Sequence, residues 1–329
     1  IGATNKTADG NYLLFINGQI TEFSEYGEPV FSYTNTSYNS QLLYPNRTYI
    51  QKSNGGYMVT YNFGFNPVST LFSIGKQGLD GNWIWQKDLA RPSKNLVDQT
   101  TPACAPTSNG NLFMAGVDSI YLINPDNGQI FWRKSLFNDN FVSSMESNDL
   151  LLTITGSGEF FILDTTGTTI STHSLAITPK KIIDTDNNYV IIGEDNGAAT
   201  LMFFDKTTTT TSNLALGSGV FYDIKQTWDD GFIIAGSDGQ QAFLMKTDAQ
   251  GTQEWQQFYG NGKAQNVEIS SYDGYVVFVN DDVASVYRSA VNAGAHSISE
   301  PVEKPWGQIV AYVRSIEGTL VEICSPMNV

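Results

Sequence analysis

Cysteine and histidine are nearly absent, with two of each in 329 residues. Cys104 and Cys324 are too few for a disulfide framework and have no CxxC spacing for zinc. They lie far apart in sequence, and free buried thiols are the expected state. His173 and His296 stand in no triad motif, and no GxSxG, HExxH or P-loop occurs. His173 falls in a polar stretch and reads as a surface histidine. No metal site of protein ligands and no cofactor are expected from this set. Basic residues are scarce as well: 18 Lys and Arg stand against 33 Asp and Glu, a formal charge of −15. Such a surface repels phosphate backbones, which argues against a nucleic-acid partner. No run of 18 apolar residues occurs, so the chain is not expected to span a membrane. No long stretch shows the 3.6-residue period of an amphipathic helix.

What is abundant is turn residues and short β-favouring runs. A dipeptide of Asp or Asn with Gly, Asn or Asp recurs before four to six apolar residues. It stands at Asp9-Gly10, Asn54-Gly55, Asn109-Gly110, Asn148-Asp149, Asn187-Asn188, Asp230-Gly231 and Asp273-Gly274. The spacings are 45, 55, 39, 39, 43 and 43 residues. Asp-Gly and Asn-Gly suit tight hairpins, which need residues at positive φ. A period near 40 with about four short strands per repeat marks a β-propeller. The expectation is an all-β, seven-bladed β-propeller of four-stranded antiparallel blades, one domain over residues 1–329. After the seventh anchor, Val276 to Val279 and Ala284 to Arg288 read as strands. A loop with Pro301 and Pro305 follows, then strands at Ile309 to Arg314 and Leu320 to Cys324. An incomplete eighth blade is the alternative.

The sixth repeat is the most regular. It parses as strands Val220 to Gln226, Phe232 to Ala235, Ala242 to Thr247 and Thr252 to Phe258. A second landmark sets the register: a Gly followed four residues later by an aromatic. The pairs are Gly27 and Phe31, Gly81 and Trp85, Gly128 and Trp132, and Gly251 and Trp255. The Gly fits the third turn, and the aromatic is expected to dock on the neighbouring blade. The fourth repeat has Ser171 in place of the Trp, and the fifth runs from Asp205 into Lys206 and five threonines.

The stretch Asp118 to Leu136, DSIYLINPDNGQIFWRKSL, resembles the repeat of quinoprotein (PQQ-type) propellers, with its apolar strand, acidic turn, Gly128 and Trp132. The sixth repeat, with Lys246-Thr247-Asp248 and Gly251-Thr252, is similar to repeats of secreted and lipid-anchored bacterial propellers. The resemblance implies an extracytoplasmic bacterial protein, periplasmic, lipid-anchored or secreted. The same repeat serves in non-enzymatic propellers that scaffold envelope proteins, and that branch is the expectation here. The chain begins at Ile1 rather than Met, as a trimmed form without its targeting segment would.

Two acidic stretches invite other readings. Asp184-Thr185-Asp186-Asn187-Asn188 alternates oxygen ligands as a calcium loop does, but lacks the Gly and distal Glu of an EF-hand. It reads as a structural turn. Thr227-Trp228-Asp229-Asp230-Gly231 loosely resembles the Asp-box of sialidase propellers, which is structural in that family. Topology narrows the search for a ligand. The anchor turns share one face, and the connections between blades lie on the other, where function is expected. The long connections there carry Tyr38, Tyr44, Arg47, Phe65, Arg91, Lys94 and Trp306. Exposed aromatics with scattered cations suit a protein or glycan partner. The expected function is a monomeric, non-enzymatic binding or scaffold propeller. The alternative is a carbohydrate-active hydrolase or lyase using channel carboxylates.

Overall fold

A computed structural model describes residues 3–7, 11–16, 19–24, 29–34, 50–53, 55–64, 70–80, 82–89, 103–116, 119–135, 141–261, 263–264, 267, 275–279, 282–305, 307–315 and 320–325. The chain parts into two compact units, 1–175 and 176–329.

The first unit holds four sheets of four strands, each an antiparallel meander in chain order. Blade 1 spans Ala3 to Thr34, blade 2 Ile50 to Leu89, blade 3 Ala103 to Ser135 and blade 4 Phe141 to Ser174. The anchor dipeptides of blades 3 and 4 lie in the turns from first to second strand, as their positive-φ chemistry requires; Asn148, Asp149 and Gly110 all adopt positive φ. Second and third strands are buried almost continuously, while the fourth strands of blades 3 and 4 alternate half-buried and exposed. A sheet covered on both faces except at its outer edge leaves this pattern. The third turns of blades 3 and 4 share one device. An Asn or Asp ends the third strand and folds its side chain onto the following N–H groups. Asp164 accepts from Thr166 and Thr168 at 2.9 Å each, and Asn124 from Asp126 at 2.8 Å. The Thr166 hydroxyl and these N–H groups hold Asp164 below the usual carboxylate range.

The repeated Gly and Trp form the seams between blades. Trp85 of blade 2 donates its indole N–H to the Pro125 carbonyl of blade 3 at 3.0 Å, and its ring lies over Gly128. Trp132 of blade 3 repeats this on blade 4, bonding the Thr165 carbonyl at 2.9 Å and lying over Gly167. A Cβ on Gly128 or Gly167 would come within 2.6 or 2.8 Å of the indole, and both residues sit at positive φ. The glycine is thus the seat of the preceding blade's Trp.

The second unit holds blades 5 (Thr178 to Ser218) and 6 (Val220 to Asn261), again four-stranded meanders. The sixth repeat folds as parsed, with strands Val220–Gln226, Phe232–Ser237, Gln241–Thr247 and Gln253–Asn261. The architecture is therefore that of a β-propeller of four-stranded antiparallel blades. Among the described residues six sheets have this meander, not seven. The remaining sheet is ordered Tyr275–Val279, Leu320–Cys324, Ile309–Arg314, His296–Glu303, and its first pair is parallel.

This difference comes from the segment read as a strand from Ala284 to Arg288. It lies within a helix, Val283–Asn292. Asp282 caps the N-terminus by accepting the Ser285 N–H at 3.0 Å, and Gly294 closes the C-terminus at φ +105°. Val283, Val286 and Ala290, at spacings of three and four, are buried against the third and second strands of this sheet and the last two of blade 6. Three β-branched valines in ten residues hid this period. A helix advances only about 1.5 Å per residue and carries the chain across the sheet to its far edge, so the last strands return inward. Pro301, expected in a loop, lies in the edge strand His296–Glu303, where its missing N–H costs no ladder bond.

Candidate functional site

The first strands of blades 4, 5 and 6 each carry a bulge near their N-terminal end. The register shifts between Phe141 and Ser143, between Pro179 and Lys181, and between Phe221 and Asp223. Val142, Lys180 and Tyr222 are the extra residues. A bulge bends its strand and re-aims the side chains beside it. In blades 5 and 6 it sits against a glycine of the second strand, Gly193 paired with Pro179 and Gly236 with Phe221. A Cβ on Gly193 would come within 2.4 Å of the Thr178 carbonyl oxygen, and one on Gly236 within 2.4 Å of the Phe243 ring. The glycines are thus the local reason that the chain can bulge here.

The re-aimed side chains meet. The Lys180 ammonium lies 3.7 Å from Glu194, and that of Lys181 lies 3.3 Å from Asp223 Oδ1. Asp223 is 3% exposed. Its Oδ2 accepts the Val267 N–H at 3.0 Å. Its Oδ1 is near the Lys181 charge but out of hydrogen-bond alignment, and no donor among the described residues satisfies it. The Lys263 ammonium stands 5.9 Å over the Tyr222 ring, within cation–π range. Three of the chain's 18 basic residues, Lys180 and Lys181 on the first strand of blade 5 and Lys263 after the last strand of blade 6, therefore stand beside Glu194, Asp223 and Tyr222. A mixed set of this kind can meet complementary charges and hydrogen-bonding groups.

The seven expected loop residues, Tyr38, Tyr44, Arg47, Phe65, Arg91, Lys94 and Trp306, lie outside the described residues. Sequence reading did not single out the cluster at Lys180, Lys181, Tyr222, Asp223 and Lys263. The available signal was the Gly that ends YVIIG and FIIAG, which marks the bulge but names no charge.

The calcium-like loop is occupied by the protein itself. The Lys206 ammonium bonds Asp184 Oδ1, the Thr185 carbonyl and, at 3.5 Å, the Asp186 carbonyl, and lies 5.0 Å over the Tyr189 ring. Lys206 is the internal cation of that turn. Among the described residues no three His, Cys, Asp or Glu are grouped to hold a metal. Cys104 and Cys324 are free, and burial pushes both thiols up, with the Glu322 charge adding to the effect at Cys324. His173, expected at the surface, is half-buried; its ring lies 6.2 Å from that of Phe160, and its Nε2 is 3.0 Å from the Ser171 hydroxyl.

No protein-family model and no curated protein matches the chain. Among solved structures, the crystal structure of BamB from Moraxella catarrhalis aligns with it. The alignment covers 96% of this chain and 82% of that one, with a TM-score of 0.59 and 13% identity. The chain is a β-propeller resembling BamB in fold. At this identity the likeness is one of fold.

Proposed function

We propose that this propeller is a non-enzymatic scaffold of the bacterial envelope that binds a protein through the bulged ends of blades 5 and 6. The observation that carries the reading is the strand-end charge cluster around Asp223, a buried carboxylate that Lys181 meets at 3.3 Å with its Oδ1 outside hydrogen-bond alignment among the described residues. Around it, Lys180 and Lys263 offer charge at the surface. Acidic groups of the partner would meet the lysines. The BamB-like fold and the resemblance to envelope-scaffold repeats support both the function and the extracytoplasmic location. Tyr44 and Arg47, with the other loop candidates, belong to the same proposal on sequence grounds.

The test is retention of partner protein from envelope extract on the immobilised chain. Lys180→Glu with Lys263→Glu should reduce retention of the specific band about tenfold while thermal unfolding is unchanged. Equal retention by the variant would sink the reading. The hydrolase or lyase alternative predicts turnover of a polysaccharide or sugar ester that Asp223→Asn abolishes.

A further inference from the structure

The anchor turns of blades 3 and 6 form a controlled pair. In blade 3, the Thr107 N–H bonds the Asn111 carbonyl at 2.8 Å and the Gly110 N–H bonds the Thr107 carbonyl at 2.9 Å. The Thr107 hydroxyl and the Asn111 N–H both donate to Asn109 Oδ1, at 2.7 and 3.3 Å. Blade 6 makes the same four bonds. The Thr227 N–H bonds the Gly231 carbonyl at 2.8 Å, and the Asp230 N–H bonds the Thr227 carbonyl at 3.0 Å. The Thr227 hydroxyl and the Gly231 N–H both donate to Asp229 Oδ1, the latter at 3.2 Å. Lys246 pins Asp229 from below at 2.8 Å.

Two residues at the tip differ from blade 3, and of these Trp228 serves no bond of the turn. Trp228 stands where blade 3 has Ser108, and it is 88% exposed, more than any other large apolar residue described. Asp230 stands where blade 3 has Gly110, and it holds the left-handed conformation at φ +64°. An exposed indole leaves its apolar surface in water, and a non-glycine residue at positive φ is strained. Both departures fall side by side at the tip of a turn fixed by five contacts.

We infer that this turn is a carbohydrate-binding contact for a neutral polysaccharide. The Trp228 face, with its negative quadrupole, offers a stacking surface for the C–H face of a pyranose. The exposed Asp230 carboxylate accepts hydroxyl protons beside it, in charge-assisted hydrogen bonds. Asp229 and Asp230, on a chain of net charge −15, repel uronic, sulfated and phosphorylated polymers. A single exposed ring makes one weak contact, and a polymer presents many equivalent sugar faces to it. Rigid presentation lowers the ordering cost of binding. The site lies at the other end of the same strand from Tyr222 and Asp223, and it is independent of the protein-binding reading.

The experiment is native affinity electrophoresis of the whole chain through gels containing xylan, glucomannan, mixed-linkage β-glucan or, as the anionic control, alginate. At least one neutral polymer should retard the wild type, and alginate should not. Trp228→Ser, which installs the blade 3 residue, should weaken retardation about tenfold or more with an unchanged thermal midpoint, whereas Trp228→Phe should keep much of it. Asp230→Gly should weaken binding while leaving the turn intact. Absence of retardation by every neutral polymer would overturn the proposal. So would retardation by alginate alone, or undiminished retardation of Trp228→Ser.

Discussion

The seams of blades 2, 3 and 4 and the seam between blades 5 and 6 solve one packing problem in two ways. In the first group a Trp lies on the next blade's glycine and bonds a turn carbonyl. Lysines reach forward as well: Lys76 to Asp126 at 2.7 Å, and Lys134 to the Gly167 carbonyl at 3.1 Å. Between blades 5 and 6 the Trp is missing, and Ser212 pairs with Phe203 at the corresponding place. Gly251 is approached instead by Leu201, Leu214 and Phe203, and Phe203 meets Phe232 edge-on at 6.0 Å. The turn lysines here stay in their own blade, Lys206 on Asp184 and Lys246 on Asp229, while near the other strand end Lys181 of blade 5 reaches Asp223 of blade 6 at 3.3 Å. A Trp seam is directional and rigid because its donor has one partner and its ring one seat. An aliphatic seam rests on area and adaptable side-chain ends.

The sharpest way to break this contrast is Trp132→Ala, which should cost about 3–5 kcal/mol of stability in urea unfolding. Gly167→Ala should follow at roughly 3 kcal/mol, since a Cβ meets a ring that cannot move and the backbone is left-handed. Gly251→Ala should cost only about 1–2 kcal/mol, because the atoms it meets include the ends of two leucines. Equal losses at Gly167 and Gly251 would remove the distinction between the seams.

An acid titration tests the inward-turned lysine. Burial opposes ionisation of Asp229, but Lys246, the Thr227 hydroxyl and the Gly231 N–H outweigh it and hold the carboxyl at about 2. A depressed folded value stabilises the protein above the unfolded value of 3.8, and that contribution fades as pH falls towards 2. The stability gap between the wild type and Lys246→Met should therefore be full above about pH 4 and narrow progressively below it. A gap that is flat over this range would count against the pairing. The smallest effects belong to the exposed turn. Trp228→Ser should change stability by under about 0.5 kcal/mol, and Asp230→Gly should stabilise by up to about 1 kcal/mol.

The residues made some of this legible and hid the rest for physical reasons. The anchor dipeptides located the first turns of blades 2, 3, 4 and 6, where Gly55, Gly110, Asn148, Asp149 and Asp230 adopt positive φ, because positive φ restricts residue choice. The Gly and Trp spacing located two seams, because an indole needs a seat without a Cβ. The helix Val283–Asn292 escaped notice because its buried valines favour strands in isolation, and burial against the neighbouring sheet overrode that preference. The strand-end cluster escaped because Lys180 and Asp223 stand 43 positions apart in the chain, and only a shared bulge in adjacent blades brings their ends together. The anchor-turn face, set aside as scaffold, carries the most exposed tryptophan described.

By itself the sequence determined the repeat, its turns and its seams, because these depend on local backbone preference and on side-chain size at a fixed period. Tertiary structure decided that six sheets share the meander and that the last sheet is mixed. It also decided that a lysine fills the acidic loop at Asp184, and that Trp228 stands in solvent while Trp132 is seated. Each of these depends on what lies across the packing interface, and a period read along one chain does not contain that information.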